Sequence, residues 1–520
     1  MKRRFFLKSG SVVSIPMMLG GVQMGAMTNS IFDELIAPDD DRIFVLIRQN
    51  GGNDGLNMVI PVDQYSTLSS LRSNILIPEN QVLKLTDETG LHPNMPDLKS
   101  LYDEGVVSII QNVGYANQNR SHFRSTDIWD SGSKAAEVLA TGWIGRYLDT
   151  DYPGFPDGYP NTESPHPIAI TMGPSVSETC QGIAANFSLA ISDPTALAMI
   201  PGTDGGDLPD LPYGDELAYL RQVVEQTNQF AGILSDVADA GVNKSELYPE
   251  MGVNGLADQL KIVAQLISGG LQTKVYVVNI NGFDTHADQV QDGDTVAGFH
   301  GTLLTNLSTA IMAFMDDLRI QGLDQRVIGA TRSEFGRQIA SNGSFGTDHG
   351  DAAPLIVFGS CVLGGIVGPN PVIPSQLERQ AGVPAQIDFK NIFGSIMMDW
   401  FGASEGTINS IFSHDFEYIS LIEACNVTTS TGIPSIKTDF VRAFPNPFFQ
   451  QLGVEFKSPG GEIRMSIFNT NGQEVLTLEE SKISAGEHTR TFDLPELPAG
   501  HYVLRLAGEK MLQSSSLLHF

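Results

Sequence analysis

The run Lys274-Val-Tyr-Val-Val-Asn-Ile280, continued by Asn281-Gly-Phe-Asp-Thr-His286, decides the fold of this chain. Its first half is apolar over the length of a strand and shows no alternation. This indicates a strand buried on both faces, as in a parallel sheet. Its second half places a carboxylate and an imidazole directly after that strand. Because α/β folds bind ligands beyond the carboxyl ends of parallel strands, we expect Asp284 and His286 to belong to a functional site.

Similar apolar runs recur along the chain and predict further buried strands. Segments with helical spacing, such as Asp215–Leu234, Gly255–Ile267 and Val296–Ile320, are found among them. Strands that alternate with helices predict an α/β fold with a mostly parallel sheet. The further predicted strands are Arg42–Ile47, Val106–Ile110, Pro167–Ile170, Arg326–Ala330 and Pro354–Gly359.

The length, composition and net charge limit the classes of protein to which this chain can belong. With 520 residues, 41% of them hydrophobic, the chain is globular and too long for one ordinary core, so we expect a large α/β domain with an appendage. A net charge of −29 argues against a nucleic-acid partner, because binding there depends on cations that neutralise phosphates. The three cysteines, Cys180, Cys361 and Cys425, allow one disulfide bond but do not indicate which pair forms it.

The N-terminal segment carries an export signal. Lys2-Arg-Arg-Phe-Phe-Leu-Lys8 contains a twin arginine, and a weakly apolar stretch from Gly10 to Met27 follows. This pattern is typical of a Tat-type signal peptide over residues 1–30 and is short for a transmembrane helix. A membrane anchor or a chance arginine pair is the alternative. We expect the Tat translocase as a partner and no stable transmembrane segment.

The composition changes after the α/β region, which we place at residues 40–425. Residues 426–441 are rich in Thr, Ser and Gly and predict a linker. Residues 442–520 contain short alternating segments separated by Asn-Gly, Ala-Gly and Pro-Ala-Gly turns, which predicts a small all-β sandwich. The predicted strands there are Leu452–Lys457, Glu462–Asn469, Glu474–Leu478, Thr489–Leu494 and Gly500–Ala507.

Carboxylates and imidazoles that follow the predicted strands form a candidate metal site. Asp, Glu and neutral His are ligands of divalent metals, and such an ion lowers the pKa of bound water or stabilises charge on a transferring group. Asp348 is a ligand or a residue that orients its neighbour. Alternatively, these side chains only organise loops. The candidate ligands of a Zn, Ca, Mg or Mn ion are Asp54, Asp284, His286, Glu334, Asp348 and His349.

A hydroxyl group and two arginines follow the strand Val106–Ile110. Ser121 precedes a predicted helix, where it caps the helix or acts as a nucleophile favoured by the positive end of the helix dipole. Arg120 and Arg124 flank it and would hold an anionic substrate.

Seven motifs together resemble the DUF1501 family over about residues 40–405. The family is similar to the alkaline phosphatase and sulfatase superfamily, which implies a doubly wound α/β fold with a metal-assisted site. The matching motifs are Asn50-Gly-Gly-Asn-Asp54-Gly-Leu-Asn57, Ser121-His-Phe123, Trp143-Ile-Gly-Arg146, Gly282-Phe-Asp-Thr-His286, Ser333-Glu-Phe-Gly-Arg337, Gly346-Thr-Asp-His-Gly350 and Asp388–Gly402.

The superfamily resemblance implies roles for individual residues. Asp54 corresponds to the first Asp, Ser121 to the nucleophile, and Asp284 with His286 to an Asp/His pair. Either Asp348-His349 is the Asp-His pair, or Ser333-Glu-Phe-Gly336 takes that place and His349 is the last His; we prefer the second on order and spacing. In the second placement, Phe335 stands where the pattern has a ligand His. In addition, one residue separates Asp284 from His286, where three intervening residues are usual. Both departures count against two complete metal sites.

The C-terminal segment resembles the type IX secretion sorting domain over about 75 residues. It implies the type IX secretion machinery as a partner and transfer to the outer-membrane surface or the outside of the cell. The very end, Ser514–Phe520, lacks a basic tail. The matching motifs are Phe444-Pro-Asn-Pro447, Ile467-Phe-Asn469, Gly472-Gln-Glu-Val475 and Leu497-Pro-Ala-Gly-His-Tyr502.

Two functions remain open at the level of sequence. The first is an exported metal-dependent hydrolase that acts on phosphate or sulfate esters. The second is a non-catalytic cell-surface binding protein, with a glycan as its candidate partner, that keeps the fold with a degraded metal site. A cofactor-loaded redox protein is suggested only by Tat export, and no haem, iron–sulfur or flavin motif supports it.

Overall fold

The computed structural model describes most of the chain as two compact units, Met1–Val427 and Thr428–Phe520. The linker 426–441 and most of the predicted signal peptide lie outside the described residues, as does most of the helix expected from Asp215 to Leu234. The described residues are 18–19, 22–23, 42–194, 228–413, 416–423, 425, 442–444, 448–469, 474–495, 497–498, 500–508 and 511–519.

A nine-stranded sheet forms the frame of the first unit. Its order is β13-β7-β12-β11-β3-β10-β8-β9, and β14 also pairs with β7. Apart from β12, which runs antiparallel to β11 and β7, neighbouring strands of this sheet pair in parallel. The strands are β3 (Ile43–Asn50), β7 (Val107–Gly114), β8 (Ala169–Met172), β9 (Ser188–Ile191), β10 (Val275–Asn281), β11 (Val327–Arg332), β12 (Ala353–Phe358), β13 (Gly365–Val367) and β14 (Ile387–Asp388).

Two short sheets accompany it. An antiparallel pair of two-residue strands lies near the N-terminus, and a three-stranded sheet of order β4-β6-β5 follows β3 in the chain. These strands are β1 (Met18–Leu19), β2 (Val22–Gln23), β4 (Val59–Pro61), β5 (Leu83–Lys84) and β6 (Thr89–Leu91).

Both faces of the large sheet are covered by helices, because its strands are apolar on both sides. Along β3, Val45 and Ile47 belong to one core cluster, whereas Phe44 and Leu46 belong to the other. The first cluster includes residues of helices Pro96–Asp103, Gly255–Ser268 and Phe299–Gln321, and the second includes residues of helices His122–Ser131, Trp143–Asp151, Phe389–Phe401 and Glu405–Phe412. The predicted doubly wound, mostly parallel α/β fold is therefore confirmed. Other helices are Gly55–Met58, Tyr65–Leu71 and residues 228–240.

The second unit is all-β, as predicted, but its strands are longer than expected. It contains an antiparallel sheet of order β15-β16-β18-β19, with β17 paired to β16. The expected Ala485-Gly486 turn lies inside a ribbon, because Pro459 pairs with Ala485 and Ser458 with Gly486. Pairs of predicted short strands therefore merge. The strands are β15 (Arg442–Phe444), β16 (Gln451–Asn469), β17 (Glu474–Asp493), β18 (Gly500–Gly508) and β19 (Met511–His519).

The cysteines divide into one bridge and one thiol. Cys361 is bonded to Cys425, with 5.0 Å between their Cα atoms, and Cys180 is a buried free cysteine. Burial raises the pKa of the Cys180 thiol, which keeps it protonated at neutral pH. Within the described residues, no helix is long and apolar enough to cross a membrane.

Candidate functional site

Loops from three strands meet at one edge of the large sheet. Asp284 follows β10, Glu334 follows β11, and His122 begins the helix that comes after β7. Glycine allows the closest approach: Gly51 has a φ of +123°, and a Cβ placed there would lie 2.3 Å from the backbone nitrogen of Asp284. The loop after β3 therefore packs directly against the loop that carries Asp284.

Three histidines of this region are held in the same way. The Nδ1 atom of His122 lies 2.9 Å from Glu334 Oε1, and that of His286 lies 3.0 Å from Asp348 Oδ1. His349 Nδ1 lies 2.9 Å from the carbonyl oxygen of Arg120. Because each partner is an acceptor, each Nδ1 carries the proton, which leaves a lone pair on Nε2.

The three Nε2 atoms point toward Asp284. His286 Nε2 and His349 Nε2 each lie 3.2 Å from Asp284 Oδ1, and they are 2.8 Å apart. His122 Nε2 lies 3.4 Å from Asp284 Oδ2. Ligand atoms of His122, Asp284 and His349 all lie within 4.8 Å of one another, as a group that could hold a metal ion does.

The charge states of Asp284 and His349 suit ligands. Burial opposes the charged form of Asp284, but the guanidinium of Arg337, which donates to its Oδ1, holds the pKa of its carboxyl below the usual value. Desolvation lowers the pKa of His349, although Asp284 acts against this effect. At neutral pH the two groups are a carboxylate and a neutral imidazole, the forms that bind metals.

Arg337 fixes the loops around the site. Its buried guanidinium donates to Asp284 Oδ1 at 2.7 Å and to the carbonyl oxygens of Gly52 at 2.7 Å and Thr347 at 2.9 Å. It also donates to the carbonyl oxygens of Gly51 and Phe283. One planar side chain with five donors thus connects the loops after β3 and β10 and the loop that leads to His349.

Phe335 forms an apolar wall of the site. Its ring is buried, and its centroid lies 4.9 Å from that of His122 and 4.6 Å from that of His349. Phe335 cannot bind a metal, and it supports two imidazole rings by packing.

Two acidic residues among the candidate ligands, Glu334 and Asp348, contact histidines, which is the orienting role that we gave as the alternative for Asp348. Glu334 Oε1 accepts from the backbone N–H of Gly51 at 2.9 Å as well as contacting His122. Asp348 Oδ1 contacts His286 and accepts from Asn342 Nδ2 at 3.3 Å. The hydrogen bond from His286 lowers the pKa of Asp348 and keeps it charged.

Asp54, expected as a ligand, is enclosed in the framework behind the loop after β3. Arg72 donates to both of its oxygens, at 3.1 and 2.9 Å, and Gln289 donates to Oδ2 at 2.6 Å. Burial opposes ionisation, but Arg72 reverses this effect and the pKa of Asp54 stays below its usual value. Its oxygens are thus occupied by protein donors, and we do not retain it as a ligand.

Ser121 is exposed at the start of the helix His122–Ser131, next to a candidate ligand. Its backbone N–H donates to Asn119 Oδ1 at 2.9 Å, whereas its side chain makes no capping hydrogen bond. The expected capping role is absent, so Ser121 remains a candidate nucleophile.

The two arginines that we expected to hold an anion are engaged in ion pairs. Arg120 donates to both oxygens of Asp351, at 2.8 and 2.6 Å. Arg124 pairs with Asp127 and donates to the carbonyl oxygens of Lys134, Ala135 and Glu137. Their charges are compensated within the protein, and we do not assign them to a substrate.

Comparison with known proteins supports both sequence resemblances. Residues 213–384 match the family described as "Protein of unknown function (DUF1501)", and residues 442–518 match the family described as "Secretion system C-terminal sorting domain". The chain thus contains one segment that matches the first family and a later segment that matches the second. The sorting domain indicates export by type IX secretion machinery to the cell surface or the extracellular space. Among curated proteins, none matches the chain.

Solved structures similar to this chain include a protein of the alkaline phosphatase superfamily from Vibrio parahaemolyticus, with 9% identity, a TM-score of 0.32 and coverage of 91% of this chain and 79% of that one. A phosphonate monoester hydrolase from Silicibacter pomeroyi has 10% identity, a TM-score of 0.32 and coverage of 92% and 88%. A sulfatase from a Pseudoalteromonas species has 10% identity, a TM-score of 0.32 and coverage of 89% and 85%. At these values the function must be argued from the residues of the chain itself.

Proposed function

We propose that this exported protein binds one divalent metal ion through His122, His286, His349 and Asp284 and uses it to hydrolyse phosphate or sulfate esters. The observation that carries the proposal is that every one of the three Nδ1 atoms is bonded to an acceptor while the Nε2 atoms face one carboxylate. Histidines that bind metals are oriented in this way by carboxylates or backbone carbonyls.

The donor set favours zinc over calcium or magnesium. Three imidazole nitrogens and one carboxylate oxygen suit a borderline ion in fourfold coordination, whereas calcium and magnesium prefer oxygen ligands. The 2.8 Å between His286 Nε2 and His349 Nε2, and the 3.2–3.4 Å from the three Nε2 atoms to the Asp284 oxygens, are close to the ~3.3 Å expected for ligands about 2.0–2.1 Å from a tetrahedral zinc ion. Phe335 in place of a further ligand is consistent with a single ion.

The bound ion would lower the pKa of a coordinated hydroxyl group or water and stabilise charge on a transferred group. We propose Ser121 as the nucleophile, because its side chain makes no capping bond and it lies at a helix N-terminus, where the dipole favours a developing anion. Arg337 would position Asp284 rather than touch a substrate, since its guanidinium is buried and used by loop carbonyls.

The test is metal content followed by turnover. Protein purified without chelator or affinity metal should contain about one equivalent of zinc by elemental analysis, and His122→Ala and His349→Ala should lose it. His488→Ala, in the β unit, is the matched control and should retain the metal. The wild type should hydrolyse p-nitrophenyl phosphate or p-nitrophenyl sulfate, and Ser121→Ala should not. Trace metal that is equal in all four proteins would remove the basis of the proposal.

One observation favours the second candidate function, a non-catalytic surface binding protein. The ion pair of Arg337 with Asp284, at 2.7 Å, already compensates the only carboxylate among the proposed ligands. If this pair replaces the ion, metal will be absent and Ser121→Ala will leave any binding activity unchanged.

The same proposal includes the order of the segments. Residues 1–30 would be a Tat-type signal peptide, 40–425 the α/β domain, 426–441 a linker and 442–520 the sorting domain. N-terminal sequencing of secreted protein would locate the first cleavage. A mature N-terminus upstream of residue 20 would contradict the first boundary.

A further inference from the structure

A cleft lies at the carboxyl ends of three neighbouring parallel strands, apart from the histidines. Its volume is about 400 Å³, within the ~300–1,000 Å³ range of small-molecule sites. It is lined by Arg48 of β3, by Asn279 and Asn281 of β10, and by residues at and beyond the end of β8. This is the edge of the sheet where α/β folds bind ligands.

The cleft is positively charged because two arginines share one aspartate. The carboxylate of Asp130 is paired with Arg332 through Oδ1 and with Arg48 through Oδ2, the latter at 3.4 Å. Thr179 also donates to Oδ1 of Asp130. One negative charge therefore faces two guanidinium groups, and Arg48 is the member that lines the cleft.

The remaining charge on Arg48 is poorly compensated. Within the described residues its Nε is buried without a hydrogen-bond partner, as is the Nε of Arg332. Burial is the main cause that lowers the pKa of Arg332 to about 10. The positive charge of Arg48 also lowers this pKa, whereas the carboxylates of Asp130 and Glu334 raise it. Arg332 is therefore still charged at neutral pH. Glu334 supplies a second negative charge near Arg332, but neither residue lines the cleft, so Arg48 is the charged group that a ligand in the cleft meets.

The rest of the lining is neutral. Exposed polar residues at the mouth are Ser175, Ser192 and Asn281, and the apolar surface comes from Met172, Pro174 and Val176. Hydroxyl and amide groups bond sugar or polyol hydroxyls, while the guanidinium prefers a planar or tetrahedral oxyanion. Arg48 is the only charged residue among the residues that line the cleft.

We propose that this cleft binds an anionic polyol of monosaccharide size, with its sulfate or carboxylate group on Arg48. The site does not depend on the proposed metal centre, since it uses different side chains. It adjoins that centre, however: Asn281 and Asp284 are three residues apart, a reach of at most ~11 Å along an extended chain.

Titration calorimetry on the full chain tests the proposal with glucose 6-sulfate and glucuronate as anionic probes and glucose as the neutral probe. Both anions, or one of them, should bind, whereas glucose should bind at least tenfold more weakly. Because the protein carries a net charge of −29, the attraction must be local, and raising the salt concentration should weaken it.

Two variants connect binding to the cleft. Arg48→Gln should weaken binding of the anion by about tenfold or more, because it removes the charge-assisted hydrogen bonds. Ser175→Glu, on an exposed loop, should have the same effect by repulsion without disturbing the core, so a folding defect of the first variant cannot hide the answer. Arg319→Gln, which removes an equal charge from a surface ion pair with Glu104, is the control and should bind as the wild type does.

Treatment with a chelator separates this proposal from the metal proposal. It should remove bound metal and leave binding of the anionic probes unchanged. Binding of glucose as tight as that of the anions, or anion binding that survives both Arg48→Gln and Ser175→Glu, would overturn the inference. Absence of binding by both anions in the wild type would also overturn it.

Discussion

Replacing Glu334 by Gln isolates the contribution of histidine orientation to metal binding. Glu334 Oε1 accepts from the Gly51 N–H at 2.9 Å and contacts His122 Nδ1 at the same distance. Gln has the same size but replaces one oxygen by an NH₂ group. If that NH₂ group faces the donors, both bonds are lost and His122 is free to turn or to change its tautomer.

The expected magnitude follows from this contact. Loss of a carboxylate that orients a metal-binding histidine typically weakens metal affinity by about 10–100-fold, or about 1.4–2.7 kcal/mol. Glu334 has a side chain only 6% exposed, so solvent does little to replace the lost acceptor. Asp348, whose side chain is 51% exposed, should matter less, and Asp348→Asn should weaken affinity by less than Glu334→Gln.

Competition with a chromophoric chelator at constant pH gives the zinc dissociation constant for each variant. Glu104→Gln, which removes a surface carboxylate paired with Arg319, is the charge-matched control and should have the wild-type value. A Glu334→Gln protein that binds zinc as tightly as the wild type would show that Glu334 does not orient a ligand. An effect of Asp348→Asn larger than that of Glu334→Gln would contradict the argument from burial.

Three further predictions concern the framework. Asp54→Asn leaves the buried Arg72 charge uncompensated and should cost about 3–5 kcal/mol in urea unfolding, and a loss below about 1 kcal/mol would refute the structural role. Gly51→Ala places a Cβ 2.3 Å from the Asp284 backbone and should lower both stability and zinc affinity; wild-type zinc affinity would show that the loops separate without moving Asp284. His300 is buried and neutral, and burial lowers its pKa to about 4, below the unfolded value of 6.5. The unfolded state therefore binds more protons between these values, so the free energy of unfolding should fall by up to about 3 kcal/mol as pH drops from 6.5 to 4. His300→Gln should reduce that slope in urea unfolding measured across this range, and an unchanged slope would assign it to other groups.

The strands of the large sheet were predictable because burial on both faces leaves a mark in the local sequence. Lys274–Ile280 and Arg326–Ala330 correspond to β10 and β11 within two residues at each end. The antiparallel direction of β12 left no such mark, because its apolar run, Ala353–Phe358, reads the same in either direction. The long ribbon of the second unit was missed for a related reason: Gly-containing pairs are usual at turns, whereas here Gly486 pairs with Ser458 inside the ribbon.

The candidate site was predictable in its location but not in its roles. Asp284, His286 and His349 were expected near one another, and the structure places them in contact. Strand order decides which acidic residue binds the metal and which one orients a histidine, and the local sequence does not reveal strand order. His122 illustrates this. It follows β7, and only the order β7-β12-β11-β3-β10 brings it to Glu334 and Asp284.

The two sites at this edge of the sheet differ in the positive charge that is available to bind a substrate. Beside the histidines, the guanidinium of Arg337 is bonded to Asp284 and to loop carbonyl oxygens. Little positive charge therefore remains there for a substrate. At the cleft, Arg48 shares Asp130 with Arg332, and its Nε has no hydrogen-bond partner within the described residues. An anionic ester would thus be attracted first to Arg48 and would reach the histidines with its other end. On this reasoning, a substrate with one anionic group for binding and a second one for cleavage should be processed better than a monoanionic ester. Arg48→Gln should remove that preference by raising KM for the dianionic substrate, while kcat for the monoanionic one stays unchanged. A preference that persists in Arg48→Gln would show that the cleft does not serve the histidine site.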